Sequence, residues 1–345
     1  MANYYIPASY LFHHIFDIEV MVAPTITSKT IELGNKHSPD FVCTPFKYTL
    51  GTMMEALDNG ATVLVQAGGG CRYGYYSELQ EKILKDLGYQ FRLFNLVSCG
   101  KMNVKRIYKM LKKIDNHFHP FKALYYLWIT INMVRYMDKI DDYIRKNIGF
   151  EVTKGSFDKL LDSMLKEFSS VKNPIQLYFL YRKYKKQFKN IPICKPKDCL
   201  KVGIIGELYT LMEPFSNYYL EKTLASFNIE VKRFTNVNYL LFINKKEKKK
   251  ALRKSKKYMK YKLGADASNN IYWTKYLCEQ GYDGIIHVKS SFCTPEIGIV
   301  PIINKIAHEK DVPIMFFSFD ANTSEVGIKT RLEAFYDMIE MRKKK

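Results

Sequence analysis

The stretch that decides the fold runs from residue 61 to residue 78 and reads Ala61-Thr-Val-Leu-Val-Gln-Ala-Gly-Gly-Gly-Cys71-Arg-Tyr-Gly-Tyr-Tyr-Ser77-Glu78. Its apolar part, residues 63–67, predicts a buried strand bounded by glycines. Ser77, with Gln80 three residues later, predicts a capping box at the start of a helix. Cys71 is therefore expected in the loop between the carboxyl end of a strand and a helix, where ligands bind in open α/β sheets.

Two other cysteines, Cys43 and Cys293, share the tripeptide Cys-Thr-Pro. A helix-like apolar pattern follows each tripeptide, and Thr and Pro are common at the N-cap and the first position of a helix. Each tripeptide thus predicts a cysteine just before a helix, and residues 284–289 predict a strand ahead of Cys293. We expect three thiols at three strand ends, which can converge on one point.

The alternation of strand and helix patterns predicts an α/β fold with two Rossmann-like or flavodoxin-like parallel-sheet domains and a helical subdomain between them. One of the predicted strands is Glu19 to Ala23. The predicted domains are residues 1–97 with Cys43 and Cys71, the helical residues 98–192, and residues 193–345 with Cys293. A site built from the three cysteines would lie between the two α/β domains.

Composition places the chain among globular proteins, since 47% of its 345 residues are hydrophobic and 14% are aromatic. The longest uncharged apolar stretch, residues 123–134, is too short for a bilayer span. The N-terminus lacks the basic and apolar regions of a signal peptide. Seven cysteines without an export signal indicate reduced thiols in the cytoplasm, available as metal or cluster ligands.

The formal net charge of +20 raises the question of an anionic partner. Nine basic residues lie in the segment 245–257, and residues 342–345 add a basic tail. Neither run carries interleaved aromatic residues or a recognised DNA-binding motif, which argues against nucleic acid. A solvated helix face is the ordinary interpretation of such runs, although they can also attract an anionic ligand or an acidic protein.

The residues alone leave the chemistry of the three cysteines open. Structural zinc sites usually contain close Cys-x-x-Cys pairs, which are absent at these positions. An iron–sulfur cluster with three protein thiolates would keep one iron open to substrate. The alternative is that the three cysteines are small buried hydrophobes. Whether the other cysteines ligate a second cluster also stays open for Cys99, Cys194, Cys199 and Cys278.

Two further features accompany the predicted site. Gly68, Gly69 and Gly70 do not form a dinucleotide fingerprint, because Tyr73 stands where the third glycine is required. These glycines instead let the backbone approach a bound group closely and donate N–H bonds to it. Glu296, three residues after Cys293, could move a substrate proton or serve as a partner of the helix dipole.

Five ordered motifs carry a family resemblance. They are Phe41-Val-Cys-Thr-Pro-Phe-Lys-Tyr-Thr-Leu-Gly51, Gln66-Ala-Gly-Gly-Gly-Cys-Arg-Tyr-Gly-Tyr-Tyr76, Gly206-Glu-Leu-Tyr209, Phe292-Cys-Thr-Pro-Glu296 and Thr330-Arg-Leu-Glu-Ala-Phe335. With these motifs the chain resembles the 2-hydroxyacyl-CoA dehydratase superfamily over nearly its whole length. More narrowly, it is similar to the stand-alone proteins labelled CoA protein activase or activase-related.

The resemblance implies a 4Fe-4S cluster held by Cys43, Cys71 and Cys293. In the dehydratases an ATP-hydrolysing iron–sulfur activator protein injects one electron, and the cluster passes it to a 2-hydroxyacyl-CoA thioester. The resulting ketyl radical expels the 2-hydroxyl group. The expected enzyme is therefore a lyase of this type or an ATP-dependent reductase component acting on an acyl-CoA or another small molecule.

The same resemblance suggests the partners. They are the activator protein and either a second dehydratase-like subunit or a second copy of this chain. We expect no association with a membrane. The alternative function is a non-catalytic electron-transfer or assembly component of an activase complex.

Overall fold

A computed structural model describes residues 2–68, 71, 73–96, 103–242, 249, 252–261 and 263–344. It confirms the predicted fold class, because the chain is an α/β protein with two parallel sheets and many helices. The chain divides into two compact units, Ala8–Thr130 and Met1–Pro7 together with Ile131–Lys345. The three predicted domains with boundaries near residues 97 and 192 stay a prediction.

The unit Ala8–Thr130 is built around a two-stranded parallel sheet. Its elements are α1 Tyr5–Ile15 from Ala8 onward, α2 Ser28–His37, α3 Thr44–Asp58, β1 Val63–Gln66, α4 Tyr73–Asp86, β2 Arg92–Asn95, α5 Val104–Ile114 and the start of α6 Pro120–Asn147. Leu64 of β1 pairs with Leu93 of β2. Phe46, Leu50 and Leu84 are completely buried in its core, so α3 and α4 cover the sheet through their apolar faces.

Helices α2 and α3 pack closely because each presents a glycine to the other. A Cβ atom on Gly34 would lie 1.8 Å from the carbonyl oxygen of Lys47, and one on Gly51 would lie 1.9 Å from that of Thr30. Backbone therefore contacts backbone at this crossing.

Three predictions for this unit are wrong. Glu19 to Ala23 forms neither helix nor strand, and Met21 and Val22 are 45% and 44% exposed because no neighbouring strand pairs with the segment. Cys43 follows a turn rather than a strand. Helix α4 begins at Tyr73, so Ser77 lies inside the helix and is not its N-cap.

The second unit contains helices and a four-stranded parallel sheet. Its helical part comprises the rest of α6, α7 Ser156–Ser169 and α8 Pro174–Asn190, as the helical periodicity predicts. Its α/β part comprises β3 Lys201–Gly206, α9 Leu208–Met212, α10 Leu220–Ser226, β4 Glu230–Arg233, α11 Val237–Phe242, α12 Ala267–Glu279, β5 Gly284–Ser290, α13 Thr294–Glu309, β6 Ile314–Phe319 and α14 Glu325–Lys344.

The segment from residue 215 to residue 227, which has an apolar pattern typical of one helix, is interrupted in the structure. Phe215–Asn217 is a short 3-10 turn, and Tyr218 and Tyr219 have φ angles of 54° and 55°. Because the left-handed conformation is incompatible with a continuing α-helix, α10 starts only at Leu220.

The four strands are arranged in the order β4-β3-β5-β6, all parallel. β4 and β5, the next two strands along the chain, lie on opposite sides of β3. The direction in which successive strands are added to the sheet therefore reverses between β3 and β5. All seven residues of β5 are buried, as expected for a central strand with both faces covered. Ile286 and Val288 face the core under α10 and α14, whereas Ile285 faces the core under α12 and α13.

None of the helices within the described residues combines the length and the apolar character that crossing a bilayer requires.

Candidate functional site

The carboxyl ends of β3 and β5 form the topological switch point of the four-stranded sheet, the usual ligand position in such sheets. Cys293 lies just after β5 and is the N-cap residue of α13. Its N–H donates to the Ser290 carbonyl at 3.0 Å, and its own carbonyl accepts from Ile297 N–H at 2.9 Å. The predicted strand, cysteine and helix thus occur in this order, although the helix starts at Thr294 rather than at the proline.

A buried network of hydrogen bonds lies beneath Cys293. Glu296, in the first turn of α13, is 1% exposed. Its two carboxylate oxygens each accept from Asn270 Nδ2 at 3.0 Å, and Oε2 also lies 2.8 Å from His287 Nε2. Asn270 Nδ2 is in addition 3.0 Å from the carbonyl oxygen of Gly206. The network therefore connects β3, α12, β5 and the first turn of α13.

His287 is completely buried on β5, and its Nδ1 has no hydrogen-bond partner among the described residues. The tautomer with the proton on Nε2 donates to Glu296 and leaves only an acceptor lone pair unpartnered. A proton on Nδ1 would leave a buried N–H without an acceptor, at a cost of roughly 1–3 kcal/mol. The geometry therefore favours the Nε2–H tautomer.

Glu207 is a second buried carboxyl group at this edge of the sheet. Burial raises the pKa of Glu207, and the nearby charge of Glu296 raises it further. Its oxygens accept from the N–H groups of Tyr209 and Thr210 at 2.8 and 3.0 Å, which caps α9. Gly206 before it has a φ of 143°, and a Cβ there would lie 1.8 Å from the Val288 carbonyl oxygen, so no larger residue fits.

Lys289 brings a positive charge to the same region. It is 8% exposed on the face of β5 that also carries His287. Burial lowers the pKa of Lys289, whereas the charges of Cys293 and Glu296 raise it. Lys289 therefore lies within the electrostatic field of Cys293.

In the unit Ala8–Thr130, Cys43 is the N-cap residue of α3 and Cys71 lies between β1 and α4. The Cys43 Sγ is 2.6 Å from the hydroxyl of Tyr76, a largely buried residue on α4. Tyr76 also packs edge-on against Phe46 with ring centroids 4.9 Å apart. The hydroxyl can therefore donate to a thiolate at Cys43 from a fixed position.

Buried amide groups hold the elements around these two cysteines. Gln80 on α4 is completely buried, and its Oε1 accepts from Gln66 Nε2 of β1 at 2.9 Å. Gln80 Nε2 donates to the Phe46 carbonyl at 3.1 Å and to Thr49 Oγ1 at 2.7 Å. One side chain thus connects the carboxyl end of β1 with α3 and α4.

The predicted site residues are distributed over both units. Cys43 and Cys71 belong to one unit and Cys293 to the other, and Gly68 follows β1. Gly69 and Gly70 lie outside the described residues. The cluster-binding role of the cysteines, the backbone contacts of the glycines and the proton transfer by Glu296 stay predictions.

Within the described part of the chain, no group of three or more His, Cys, Asp or Glu residues is arranged to hold a metal ion. The six cysteines described there are all thiols. Cys194 is exposed and Cys199 is buried, while burial raises the pKa of Cys278 to about 11. Cys99 lies outside the described residues.

Sequence reasoning missed several of the polar residues that surround the cysteines. Asn270 occupies a buried position of α12, but its neighbours Ser268 and Asn269 are polar as well, so the local pattern does not single it out. Tyr76 and Gln80 belong to or follow the quoted glycine-rich motif, yet nothing in their spacing indicates a contact with α3. His287 on β5 has the carboxylate of Glu296 as its partner.

Residues 244–339 match the family model of 2-hydroxyglutaryl-CoA dehydratase, D-component. This segment contains Cys293 and the network of Glu296, His287 and Asn270, and the match confirms the resemblance to the 2-hydroxyacyl-CoA dehydratase superfamily. No curated protein matches the chain.

Proposed function

We propose that this chain is a 2-hydroxyacyl-CoA dehydratase-type component in which Cys43, Cys71 and Cys293 hold a 4Fe-4S cluster. An ATP-hydrolysing iron–sulfur activator protein supplies the electron, and an acyl-CoA or a similar small molecule receives it. The observation that carries the proposal is the dehydratase family match over residues 244–339, because that segment contains Cys293 and β5, one of the two strands that form the switch point of the sheet.

The local chemistry of the three cysteines fits thiolate ligands. Cys43 and Cys293 are N-cap residues, and Cys71 lies two residues before α4. The N-terminus of a helix carries a partial positive charge that favours the thiolate over the thiol. All three cysteines are partly exposed residues.

A 4Fe-4S cluster with one iron that lacks a protein ligand would supply a Lewis-acidic site and one-electron chemistry. Other residues of this chain would position the cysteine thiolates and set the charge around them. The Tyr76 hydroxyl would donate a hydrogen bond to a thiolate at Cys43, and Lys289 would offset negative charge near Cys293. Glu296, anchored by Asn270 and His287, acts as a positioning residue that keeps the first turn of α13 on the sheet.

The test is anaerobic purification followed by iron and acid-labile sulfide assays. We expect about four iron atoms per wild-type chain, and a loss of most of this iron in Cys43→Ser, Cys71→Ser and Cys293→Ser. Cys278→Ser is the matched control, since this thiol packs against the apolar core formed by α12, α13 and β5, and it should keep its iron. A wild-type protein that is folded, colourless and free of iron would refute the proposal.

A second measurement separates the two proposed roles of a cluster. Electron paramagnetic resonance spectra of the reduced protein are recorded with and without candidate acyl-CoA thioesters. A spectral change on thioester addition is expected for an open iron that contacts substrate. An unchanged spectrum with every thioester would instead identify an electron-transfer or assembly component.

A further inference from the structure

A cavity of about 190 Å³ lies between α6 and α8, within the unit that contains Ile131–Lys345. Its lining combines four apolar or aromatic side chains with three lysines. These residues are Ile140, Tyr143, Tyr181 and Phe188, and Lys139, Lys185 and Lys189. The cavity contains no cysteine and no residue of the network around Glu296.

The aromatic side chains Tyr143, Tyr181 and Phe188 form the floor of the cavity, and two of them are fixed by stacking on neighbouring rings. Tyr181 stacks on Tyr136 with ring centroids 4.1 Å apart and planes inclined by 7°. Phe188 stacks on Phe157 at 6.0 Å and is completely buried. Because these rings are fixed by packing on their far side, the apolar floor exists before any ligand arrives.

The rim of the cavity carries uncompensated positive charge. Lys139, Lys185 and Lys189 are exposed and have no acidic partner among the described residues. Other lysines of the same two helices are paired, since Lys183 Nζ lies 2.7 Å from Glu167 and Lys146 Nζ lies 3.2 Å from Asp142. Acidic side chains of the described chain therefore pair with other lysines of α6 and α8 but not with the three lysines of the cavity rim.

A cation–π contact joins a rim lysine to an aromatic ring of the cavity. The Lys185 Nζ lies 5.8 Å from the centroid of the Tyr181 ring. The ammonium group is therefore next to the aromatic floor, where a ligand with a flat ring and an adjacent anionic group would meet both features at once.

From these observations we propose that the cavity binds a nucleoside phosphate. Its base lies against Tyr143 and Tyr181, above the buried ring of Phe188, and its phosphates contact the three rim lysines. The volume of about 190 Å³ is below the roughly 300–1,000 Å³ of a pocket that encloses a whole drug-sized ligand, so it holds one ring system and leaves the phosphates at the rim. This site is independent of the cysteines and of the proposed cluster.

Isothermal titration calorimetry with the full chain, near physiological ionic strength, tests the site with ADP, adenosine and pyrophosphate. We expect ADP to bind more tightly than either of the other two probes, because only ADP has both a base and phosphates. The double variant Lys185→Glu/Lys189→Glu should weaken ADP binding about tenfold or more. Tyr143→Leu should weaken ADP binding and leave pyrophosphate binding unchanged.

Lys186→Glu is the matched control, since Lys186 is exposed on the same helix but does not line the cavity. It should change ADP affinity by less than about twofold. The proposal is overturned if ADP does not bind, if pyrophosphate binds as tightly as ADP, or if Lys186→Glu weakens ADP binding as much as the double variant does. Thermal unfolding of each variant verifies that the fold is retained.

Discussion

His287 Nε2 lies 2.8 Å from Glu296 Oε2, and the two side chains are 0% and 1% exposed. A carboxylate is buried at a large cost unless hydrogen bonds replace its water shell, and here Asn270 supplies the remaining donors. The pair therefore connects β5 with the first turn of α13, whose N-cap residue is Cys293.

Glu296→Ala should lower the free energy of unfolding by about 3 kcal/mol, because it leaves His287 Nε2 buried without an acceptor and leaves Asn270 Nδ2 only the Gly206 carbonyl oxygen. Glu296→Gln keeps the shape, but only its Oε1 can accept a hydrogen bond. If Oε1 accepts from Asn270, the amide group must donate to His287 Nε2, which requires the Nδ1–H tautomer and leaves that N–H without an acceptor. Its expected cost is therefore roughly 1–3 kcal/mol. Urea unfolding followed by circular dichroism measures both values.

The exposed Glu309 of the same helix provides the control. Glu309→Gln should change the free energy of unfolding by no more than about 0.5 kcal/mol. Equal stabilities of Glu296→Ala and Glu309→Gln would contradict the role given to the buried network. If Glu296 positions Cys293, the folded Glu296→Gln protein should also keep its iron.

Tyr76→Phe removes the hydroxyl that lies 2.6 Å from the Cys43 sulfur but keeps the ring that packs on Phe46. Hydrogen bonds to cluster sulfur atoms stabilise the reduced state, so the loaded variant should have a more negative reduction potential than the wild type. A redox titration monitored by visible absorption measures the difference. Tyr75→Phe, which changes an exposed neighbour on α4, is the control, and identical shifts in both variants would exclude a specific effect of Tyr76.

Asp138 gives the stability of the chain a predictable pH dependence. Burial raises the pKa of Asp138 to about 6, although hydrogen bonds from the Tyr4 hydroxyl and the Asn238 N–H oppose this shift. The folded state thus holds this proton more tightly than the unfolded state does. The contribution of Asp138 to stability is largest below the unfolded pKa near 4 and decreases as the pH rises to about 6, by up to ~3 kcal/mol.

Asp138→Asn removes this titration while it keeps the shape of the side chain. The variant should therefore gain up to ~3 kcal/mol in unfolding free energy relative to the wild type between about pH 4 and about pH 7. Urea unfolding of both proteins across this range gives the difference directly. A difference that does not change with pH would show that the folded-state pKa of Asp138 is not raised.

Two glycine substitutions should have opposite effects. Gly51→Ala places a methyl group 1.9 Å from the Thr30 carbonyl oxygen, so α2 and α3 must separate, at a cost of roughly 1–3 kcal/mol. Gly298→Ala meets nothing within 4 Å inside α13 and should stabilise the chain by about 0.5–1 kcal/mol, because alanine loses less entropy in a helix. Differential scanning calorimetry compares them, and a stabilised Gly51→Ala would contradict the close packing of α2 and α3.

Much of the α/β architecture could be predicted from the sequence. The strands at β3, β4, β5 and β6 and most helices follow from periodicity and from glycine and proline positions. The failures at Glu19 to Ala23 and at Ser77 have a common cause. A short apolar or capping pattern competes with long-range packing. At residues 19–23 no neighbouring strand of the described chain is present to pair with the segment, so no strand forms, and at Ser77 the helix α4 extends back to Tyr73.

The sequence by itself determined that Cys43 and Cys293 directly precede helices, because the backbone of a Cys-Thr-Pro segment is governed by local capping and proline geometry. Only the tertiary structure decided that Asn270, His287 and Glu296 meet beneath Cys293. These side chains come from two helices and a strand whose neighbours are set by the order β4-β3-β5-β6. Strand order depends on contacts between residues far apart in the chain, and no local pattern encodes it.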